Sequence, residues 1–592
     1  MFDLHKTLTR AVQAAREGRL ADAKTLLAAA EQRSPGPEID NGWARVLAIA
    51  GERPAASERF RRYLRRVPAD FRARGSLAAL LATDGQIGAA RRELADAVSR
   101  APLAERALLY NEFGNALLDS RRDEAIAAYR QAVELAPEHA QIRLNLASTL
   151  SVAGRSMPAI YHIAVSQVLD RGLIETSEPT YLESQLLALL GGAEDPAAQR
   201  HHATRLAAMR IRGIERLSPA PPRESGSRLR VGYVSPDFRH HAVASFFAPV
   251  LAAHDRSQLT VHLYAEVRAS DTITERLKSL ADGWLDTRNL THAQLAQRIR
   301  SDRVDVLVDL AGWTVGSRLE AFAARPAPVQ LTWIGYPGTT GLGPDTGLDG
   351  RLTDAWADPP GESDSHFSEP LLRLPSGFIA HRLLDEAPPR PAMPVERQGR
   401  IVFGSFNNAS KISEATIALW AAVVNAIPGS RLLLKNHALD DAFIARELRQ
   451  RFVRAGLAAE GLDLRPALAA YDDHLRAYDD IDIALDTFPY HGTTTTCEAL
   501  CQGVPVVTLA GRMHAARVGA SLLSRIGRAE WIASNESEFV AHATTLAHDR
   551  ARLASLRTQL PRTLIESPLF DPAAIARDLE GLYRRLVTEK GG

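Results

Sequence analysis

Cysteine is almost missing from this chain: its 592 residues contain only Cys497 and Cys501. A disulfide framework is excluded, and two thiols four apart on one helical pattern read as reduced core residues rather than half a zinc site. An excess of either charge is also lacking. Lys and Arg total 71 against 70 Asp and Glu, a net charge of +1, so nothing global draws the chain to nucleic acid or an anionic membrane. No apolar run approaches the roughly 18 residues of a membrane helix. The first 19 residues are amphipathic without a continuous apolar stretch, so no secretory signal is expected and the expected location is cytoplasmic. The remainder is ordinary for a soluble globular protein, 45% apolar and 24% charged, but too long for a single core.

Four prolines mark a period in the first third. Pro35, Pro68, Pro102 and Pro137 are spaced by 33, 34 and 35 residues. Twelve residues before each stands Ala23, Ala56, Ala90 or Ala125, and eight before each stands Leu27, Phe60, Leu94 or Tyr129. Small residues let paired helices approach, large ones fill the groove, and proline ends the second helix. That is the tetratricopeptide pattern, a helical solenoid whose concave face suits an extended partner. A more degenerate pair follows to about residue 173, with helical character to 216. Asn111 and Asn145, 34 apart, are placed to meet a peptide backbone in that groove, although Thr9, Gly42 and Ser76 at the earlier positions leave the ladder incomplete. The same asparagines suit a solvated face.

After residue 216 the texture changes. Pro219, Pro221, Pro222 and Gly226 mark a linker over 217–230. Short apolar runs at 229–234, 260–264, 304–310 and 329–334 then alternate with helical stretches, as in a parallel sheet. Pro388, Pro389, Pro391 and Pro394 mark a second linker over 388–399, and the alternation restarts with runs at 401–406, 431–434, 462–464, 481–485 and 504–509. The expected architecture is thus a helical solenoid over 1–216 followed by two Rossmann-like α/β lobes, 231–387 and 400–592, with the final helices packed back across the pair. Neither lobe has GxGxxG after its first strand, which speaks against a nicotinamide or flavin dinucleotide.

Ligands of such folds gather beyond the carboxyl ends of the strands. The stretch 486–505, DTFPYHGTTTTCEALCQGVP, runs from one strand through a polar turn into a helix and on to the next strand. Free N–H groups at the helix start, the hydroxyls of Thr493, Thr494, Thr495 and Thr496, and close approach at Gly492 suit a nucleotide diphosphate. The threonines also suit a plain helix cap. Lys411, just before a helix starting near Ser413, can reach phosphate oxygens arriving at that turn. His240 and His241 follow the first strand, where a histidine can accept a proton or contact a phosphate. Gly335 and Pro337 stand in a glycine- and proline-dense loop, WIGYPGTTG, that suits backbone contact with a ligand. His474 can stack on a nucleobase. Asp480 and Asp482 spell the DxD of metal-dependent sugar transferases, but acids there also cap turns, and no metal is expected.

Together these residues resemble the O-GlcNAc transferase family, glycosyltransferase family 41, and most closely its SPINDLY-like branch. The resemblance runs through VGYVSPDF (231–238), RPAPVQLTWIGYPGTTGL (325–342), FGSFNNASKI (403–412), the stretch from 482 to 511 and HAARVGASLL (514–523). It implies a GT-B architecture and an inverting transfer of a sugar from a nucleotide sugar to Ser or Thr hydroxyls of a polypeptide held along the repeats, with no metal or other cofactor. It places Lys411 and Thr493 to Thr495 on the diphosphate, Asn408 near it, Glu498 on the ribose, His474 at the base, and His241 as the residue proposed as catalytic base. Ser245 stands where the animal enzymes carry a second histidine. The donor it implies is UDP-GlcNAc, with GDP-fucose, used by SPINDLY relatives, as the alternative. Two other readings remain open at this stage: a repeat scaffold with an inactive transferase domain, and a transferase acting on small molecules.

Overall fold

The computed structural model describes residues 3–591 apart from 119, 153–155, 170–193, 220–222, 224–225, 383–392 and 469. Pro388, Pro389 and Pro391 of the second expected linker, Pro221 and Pro222 of the first, and the helical character expected over 174–193 lie outside the described residues. The chain forms two compact units, Met1–Leu173 and Ile174–Gly592.

In the first unit the described helices pack in consecutive pairs: α1 (Leu4–Arg16) with α2 (Leu20–Arg33), α3 (Pro37–Ile49) with α4 (Arg53–Arg66), α5 (Phe71–Thr83) with α6 (Ile87–Arg100), α7 (Leu103–Leu117) with α8 (Arg122–Leu135), and α9 (Ala140–Val152) with α10 (Ser156–Leu169). The periodic residues explain the pairing. Ala23, Ala56, Ala90 and Ala125 are wholly buried, as are Leu27 and Tyr129, with Phe60 and Leu94 close behind. Pro35, Pro68, Pro102 and Pro137 fall just beyond the ends of α2, α4, α6 and α8, where a residue lacking an N–H breaks no helical bond. Asn145 Nδ2 donates to Asn111 Oδ1 at 2.9 Å, so the two ladder positions lie side by side on one face.

The second unit holds two all-parallel sheets. In the first, β1 (Leu229–Ser235), β2 (Leu259–Ala265), β3 (Gly283–Asp286), β4 (Val306–Asp309), β5 (Val329–Thr332), β6 (Gly350–Thr353) and β7 (Leu371–Arg373) lie in the order β3-β2-β1-β4-β5-β6-β7. In the second, β8 (Val402–Ser405), β9 (Arg431–Asn436), β10 (Leu462–Pro466), β11 (Ile483–Leu485), β12 (Val506–Leu509) and β13 (Ile532–Ala533) lie in the order β10-β9-β8-β11-β12-β13. In each sheet the chain winds outward one way from the first strand and then crosses to the other side. The reversal, between β1 and β4 and between β8 and β11, leaves a crevice at the carboxyl ends of those strands.

Two helices tie this unit together. The helix Pro572–Glu589 returns from the second lobe and buries Ile575, Leu579 and Tyr583 in the core of the first. His254 links the two by polar contacts, with Nδ1 3.0 Å from Glu580 Oε1 and Nε2 2.9 Å from the Tyr233 hydroxyl. The final helix therefore crosses back as expected. The helix Pro196–Arg210 buries Ala203, Leu206 and Ala207 in a cluster with Val234, Tyr264 and Trp313, so it is part of the first lobe's core.

Among the described residues the apolar runs locate nine of the thirteen strands and miss β3, β6, β7 and β13. Their sequences, GWLD, GRLT, LLR and IA, hold no more than two consecutive apolar residues each, so no run marks them. In β6 the pattern is further masked by Arg351, which is fully buried and donates to the carbonyls of Tyr336 and Gly338 at 2.8 and 2.9 Å. Among the described residues no helix is long and apolar enough to cross a membrane.

Candidate functional site

At the switch point of the second sheet, the turn after β11 is organised by Asp486. Its Oδ1 accepts from the Thr487 and Gly492 amides at 2.9 and 2.7 Å, and its Oδ2 accepts from Thr508 Oγ1 at 2.9 Å. His491 locks the far side, with Nδ1 accepting from the Gly519 amide at 3.0 Å and Nε2 donating to the Leu509 carbonyl at 2.9 Å. That pattern requires a neutral ring, and burial lowers its pKa accordingly. The turn delivers the chain to the helix Thr494–Cys501, whose first intrahelical bond runs from the Cys497 amide to the Thr493 carbonyl. The amides of Thr494, Thr495 and Thr496 precede it and are open to an anion. Thr495 Oγ1 donates to Asn407 Oδ1 at 2.8 Å, and Thr496 Oγ1 donates to the Gly492 carbonyl at 3.0 Å. The hydroxyls of Thr493 and Thr494 have no partner among the described residues. Gly492 leaves no room for a side chain, since a Cβ there would lie 2.4 Å from Thr495 Oγ1 and 2.6 Å from Asn407 Oδ1.

Lys411 meets this turn from β8. Asn408 caps the intervening 3-10 turn, its Oδ1 accepting from the Ser410 amide at 3.1 Å. Lys411 Nζ then donates to the His491 carbonyl at 2.7 Å and sits 3.8 Å above the centre of the Tyr490 ring. Burial pulls the ammonium down to about 8, with Asp486 opposing. An ammonium and an open helix start thus flank one short turn.

Farther along the crevice the structure joins two residues that the sequence treats separately. His474 Nε2 lies 2.9 Å from Glu498 Oε2, while His474 Nδ1 lies 2.6 Å from Lys435 Nζ. Tyr478 and Tyr471 hydroxyls also donate to Glu498, at 3.2 and 3.3 Å. His474 stacks on Tyr471 with ring planes 10° apart. Lys435, lowered to about 8 by burial, lies 4.4 Å over the Phe406 ring. Sequence reasoning misses Lys435, although a lysine ending the buried run of β9 is a signal that could have found it. It also misses Asn407, Asp486 and His491, which act by shaping the turn.

The first lobe contributes two loops. His241 caps the helix Ala242–Ala253, its Nδ1 accepting from the Val243 amide at 3.3 Å, and Asp237 Oδ2 lies 3.6 Å from the same nitrogen. The side chain is 38% exposed, so the ring edge remains reachable. Burial lowers the His241 pKa, with Asp237 opposing, which favours the neutral ring. The neighbouring His240 ring stands 5.3 Å from Tyr471 of the second lobe, which brings this loop to the His474–Glu498 end. The second loop carries Gly335 and Pro337 beyond β5. A Cβ on Gly335 would lie 1.9 Å from the Leu310 carbonyl oxygen, and Ile334 beside it has φ 48°. Buried Arg351 holds this loop by its carbonyls, and Tyr490 packs against the cluster containing Tyr336.

The formal DxD has other work. Asp482 accepts from the Val395 and Val402 amides at 3.1 and 2.8 Å, and Asp480 pairs with Arg465 at 2.6 Å. Among the described residues no group of three or more His, Cys, Asp or Glu is placed to hold a metal ion. Cys497 and Cys501 are buried free thiols.

Comparison with known proteins follows this geometry. The family model described as Glycosyl transferase family 41 matches residues 163–383 and 394–579. The probable UDP-N-acetylglucosamine–peptide N-acetylglucosaminyltransferase SPINDLY of Solanum lycopersicum is 42% identical over 366 residues, 60% of this chain and 38% of that protein. The probable UDP-N-acetylglucosamine–peptide N-acetylglucosaminyltransferase SEC of Arabidopsis thaliana is 30% identical over 381 residues, 62% of this chain and 38% of that protein. The chain therefore spans about two fifths of the length of these curated relatives. Among solved structures, a mutant O-GlcNAc transferase of Thermobaculum terrenum is 33% identical, with a TM-score of 0.69 over 88% of this chain and 98% of that one. The match of the family model over both lobes, joined to the crevice just described, makes this chain a member of glycosyltransferase family 41.

Proposed function

We propose that this chain is an inverting protein glycosyltransferase that moves GlcNAc from UDP-GlcNAc to Ser or Thr hydroxyls of polypeptides. The observation that carries the proposal is Lys411 beside the open start of the helix Thr494–Cys501, at the switch point of the second sheet. In this reading the acceptor hydroxyl attacks C1 of the sugar, the C1–O bond to the diphosphate breaks, and the hydroxyl proton leaves to a base or solvent. Negative charge grows on the leaving diphosphate, where the ammonium, the helix amides and the Thr493 and Thr494 hydroxyls stabilise it. That donor set supplies the positive charge itself, and the reaction is read as metal-independent.

The paired Glu498 and His474 are assigned to the ribose and base. A nucleoside arriving there replaces one partner of Glu498 rather than meeting an idle carboxylate. Asn408 acts by setting the turn that presents Lys411, and Gly335 and Pro337 line the opposite wall. His241 is assigned a donor role. With Nδ1 accepting from the Val243 amide, the neutral ring carries its proton on Nε2, from which it gives a hydrogen bond to substrate. The acceptor polypeptide is assigned to the face of the repeats bearing Asn111 and Asn145.

The donor assignment rests on the names of the relatives, which read UDP-N-acetylglucosamine and support it over GDP-fucose. Calorimetric titration with UDP, GDP and their sugars tests the whole reading. UDP and UDP-GlcNAc are expected to bind and GDP-fucose not. Binding of neither nucleotide would leave a scaffold without a donor site.

A further inference from the structure

The edge of the first sheet opposite the catalytic loops is also open. There the amino-terminal ends of β1, β4 and β5 border a cavity of about 400 Å³, within the range of small-molecule sites. Its wall is strongly basic. Arg230 is the second residue of β1, Arg300 stands in the last turn of the helix His292–Ser301 and Arg303 in the turn between it and β4, Arg325 precedes β5, and Arg216 and Lys590 close the sides. Two acids among the described residues answer them. Asp305 is in the wall, where it lies 3.7 Å from Arg223, and Asp349 behind it is taken up by Arg325 at 2.8 Å and Lys590 at 3.0 Å.

Among the described residues, three of the guanidiniums hydrogen-bond to backbone carbonyls rather than to carboxylates, although Asp305 feels the charge of Arg230. Arg216 donates to the Asp345 carbonyl, Arg230 to the Asp302 carbonyl at 3.3 Å, and Arg300 to the Arg325 carbonyl at 2.6 Å. Arg300 is the telling one. Its Nε and Nη1 are buried without a hydrogen-bond partner among the described residues, and burial lowers its pKa. A partly buried cation with no counter-charge among the described residues is stabilised when an anion supplies one. The backbone points the same way. Arg303 and Arg325 both have φ 54°, and they are two of the three non-glycine residues with positive φ among those described. Glycine would occupy those positions without strain, so arginine there carries a cost in exchange for its side chain. The third such residue, Ile334, is in the catalytic loop.

We propose that this cavity is a second anion site, binding a free, compact ligand that carries two or more phosphoryl groups, at the opposite edge of the first sheet from the nucleotide-sugar crevice. One phosphoryl group cannot answer cations spread over three strand ends, whereas a short polyphosphate reaches several of them with charge-assisted hydrogen bonds.

The test is calorimetric titration of inorganic tripolyphosphate into the full chain saturated with UDP, at about 150 mM salt so that diffuse attraction is screened. One further binding event is expected, and it should persist in a Lys411→Ala background, which weakens the catalytic crevice. Arg300→Gln and Arg303→Asn should each weaken it about tenfold or more while leaving UDP affinity and the unfolding midpoint unchanged. Asparagine tolerates the left-handed backbone at 303, so that variant isolates the side chain from the fold. Absence of a second event, equal binding by both variants, or loss of binding between low and physiological salt would overturn the proposal. Flotation with phosphatidylcholine vesicles doped with diacylglycerol pyrophosphate separates the sources of the phosphoryl groups. The protein is expected to stay unbound, and recovery with the vesicles that tripolyphosphate blocks would overturn the choice of a free ligand.

Discussion

Lys411 is the residue on which the proposed chemistry turns, and its surroundings decide what its removal should do. It stands at a lobe surface facing the crevice, held by one carbonyl and one aromatic face rather than by a carboxylate. Replacing it therefore leaves no unpaired buried acid behind. Lys411→Ala is expected to lower kcat by about 10² to 10³ or more while the thermal unfolding midpoint stays near that of the parent. Near-parental turnover would remove it from the mechanism. Its lowered pKa, about 8, gives a second outcome. The negative diphosphate raises the pKa of a neighbouring ammonium, so binding near pH 8.5 takes up protons on the protein. Affinity for UDP should accordingly fall as pH rises through 8, by up to about tenfold per unit, and calorimetry in buffers of different ionisation enthalpy reads the proton uptake directly. Lys411→Met should lose that dependence. If it persists in the variant, Lys435 is its source.

At the scale of elements, the site is made of turns at two switch points, and two glycines show how little slack they have. Gly335 passes so close to the Leu310 carbonyl that the backbone itself would have to move for a methyl group. Gly335→Ala is expected to destabilise the chain by about 3 kcal/mol, read by denaturant unfolding. Gly492 faces only the Thr495 and Asn407 side chains. Gly492→Ala should keep its fold but break the Thr495–Asn407 contact and weaken UDP binding about tenfold. If the two variants behave alike, the turn is a structural element rather than part of the anion site. The helix start after β11 was legible because four threonines after a glycine suit the first turn of a helix, whether as a cap or as an anion site. Arg351 and Lys435 were not, because a charge in a short apolar run reads as a break in the strand. Only the sheet shows that Arg351 is buried for its hydrogen bonds to the Gly335 loop, and that Lys435 faces His474.

At the scale of the molecule, the helix Pro196–Arg210 matters more than its place in the sequence suggests. It supplies Ala203, Leu206 and Ala207 to the core beneath the first lobe. A chain starting at 174 retains them, and one starting at 217 loses them, with burial of Leu206 alone contributing about 1.5–3 kcal/mol. Removal of residues 1–173 is expected to cut glycosylation of protein acceptors severely while leaving donor hydrolysis close to that of the full chain. Removal of 1–216 should lower both, together with the unfolding midpoint. Equal activity on proteins after the shorter truncation would point instead to a small-molecule acceptor.

The sequence by itself determined the repeat, most strands of both sheets and the polar turns that follow them, because each of these is written in local spacing: a 34-residue period, short apolar runs, a cap before a helix. The tertiary structure decided which of those polar residues meet. Lys411 and the His491 carbonyl are 80 positions apart, His474 and Glu498 are 24 apart with β11 between them, and the cations of the basic cavity come from four separate segments. Parallel sheets cause this, since neighbouring strands are distant in the chain, and the chemistry at their edges is assembled by strand order rather than by spacing.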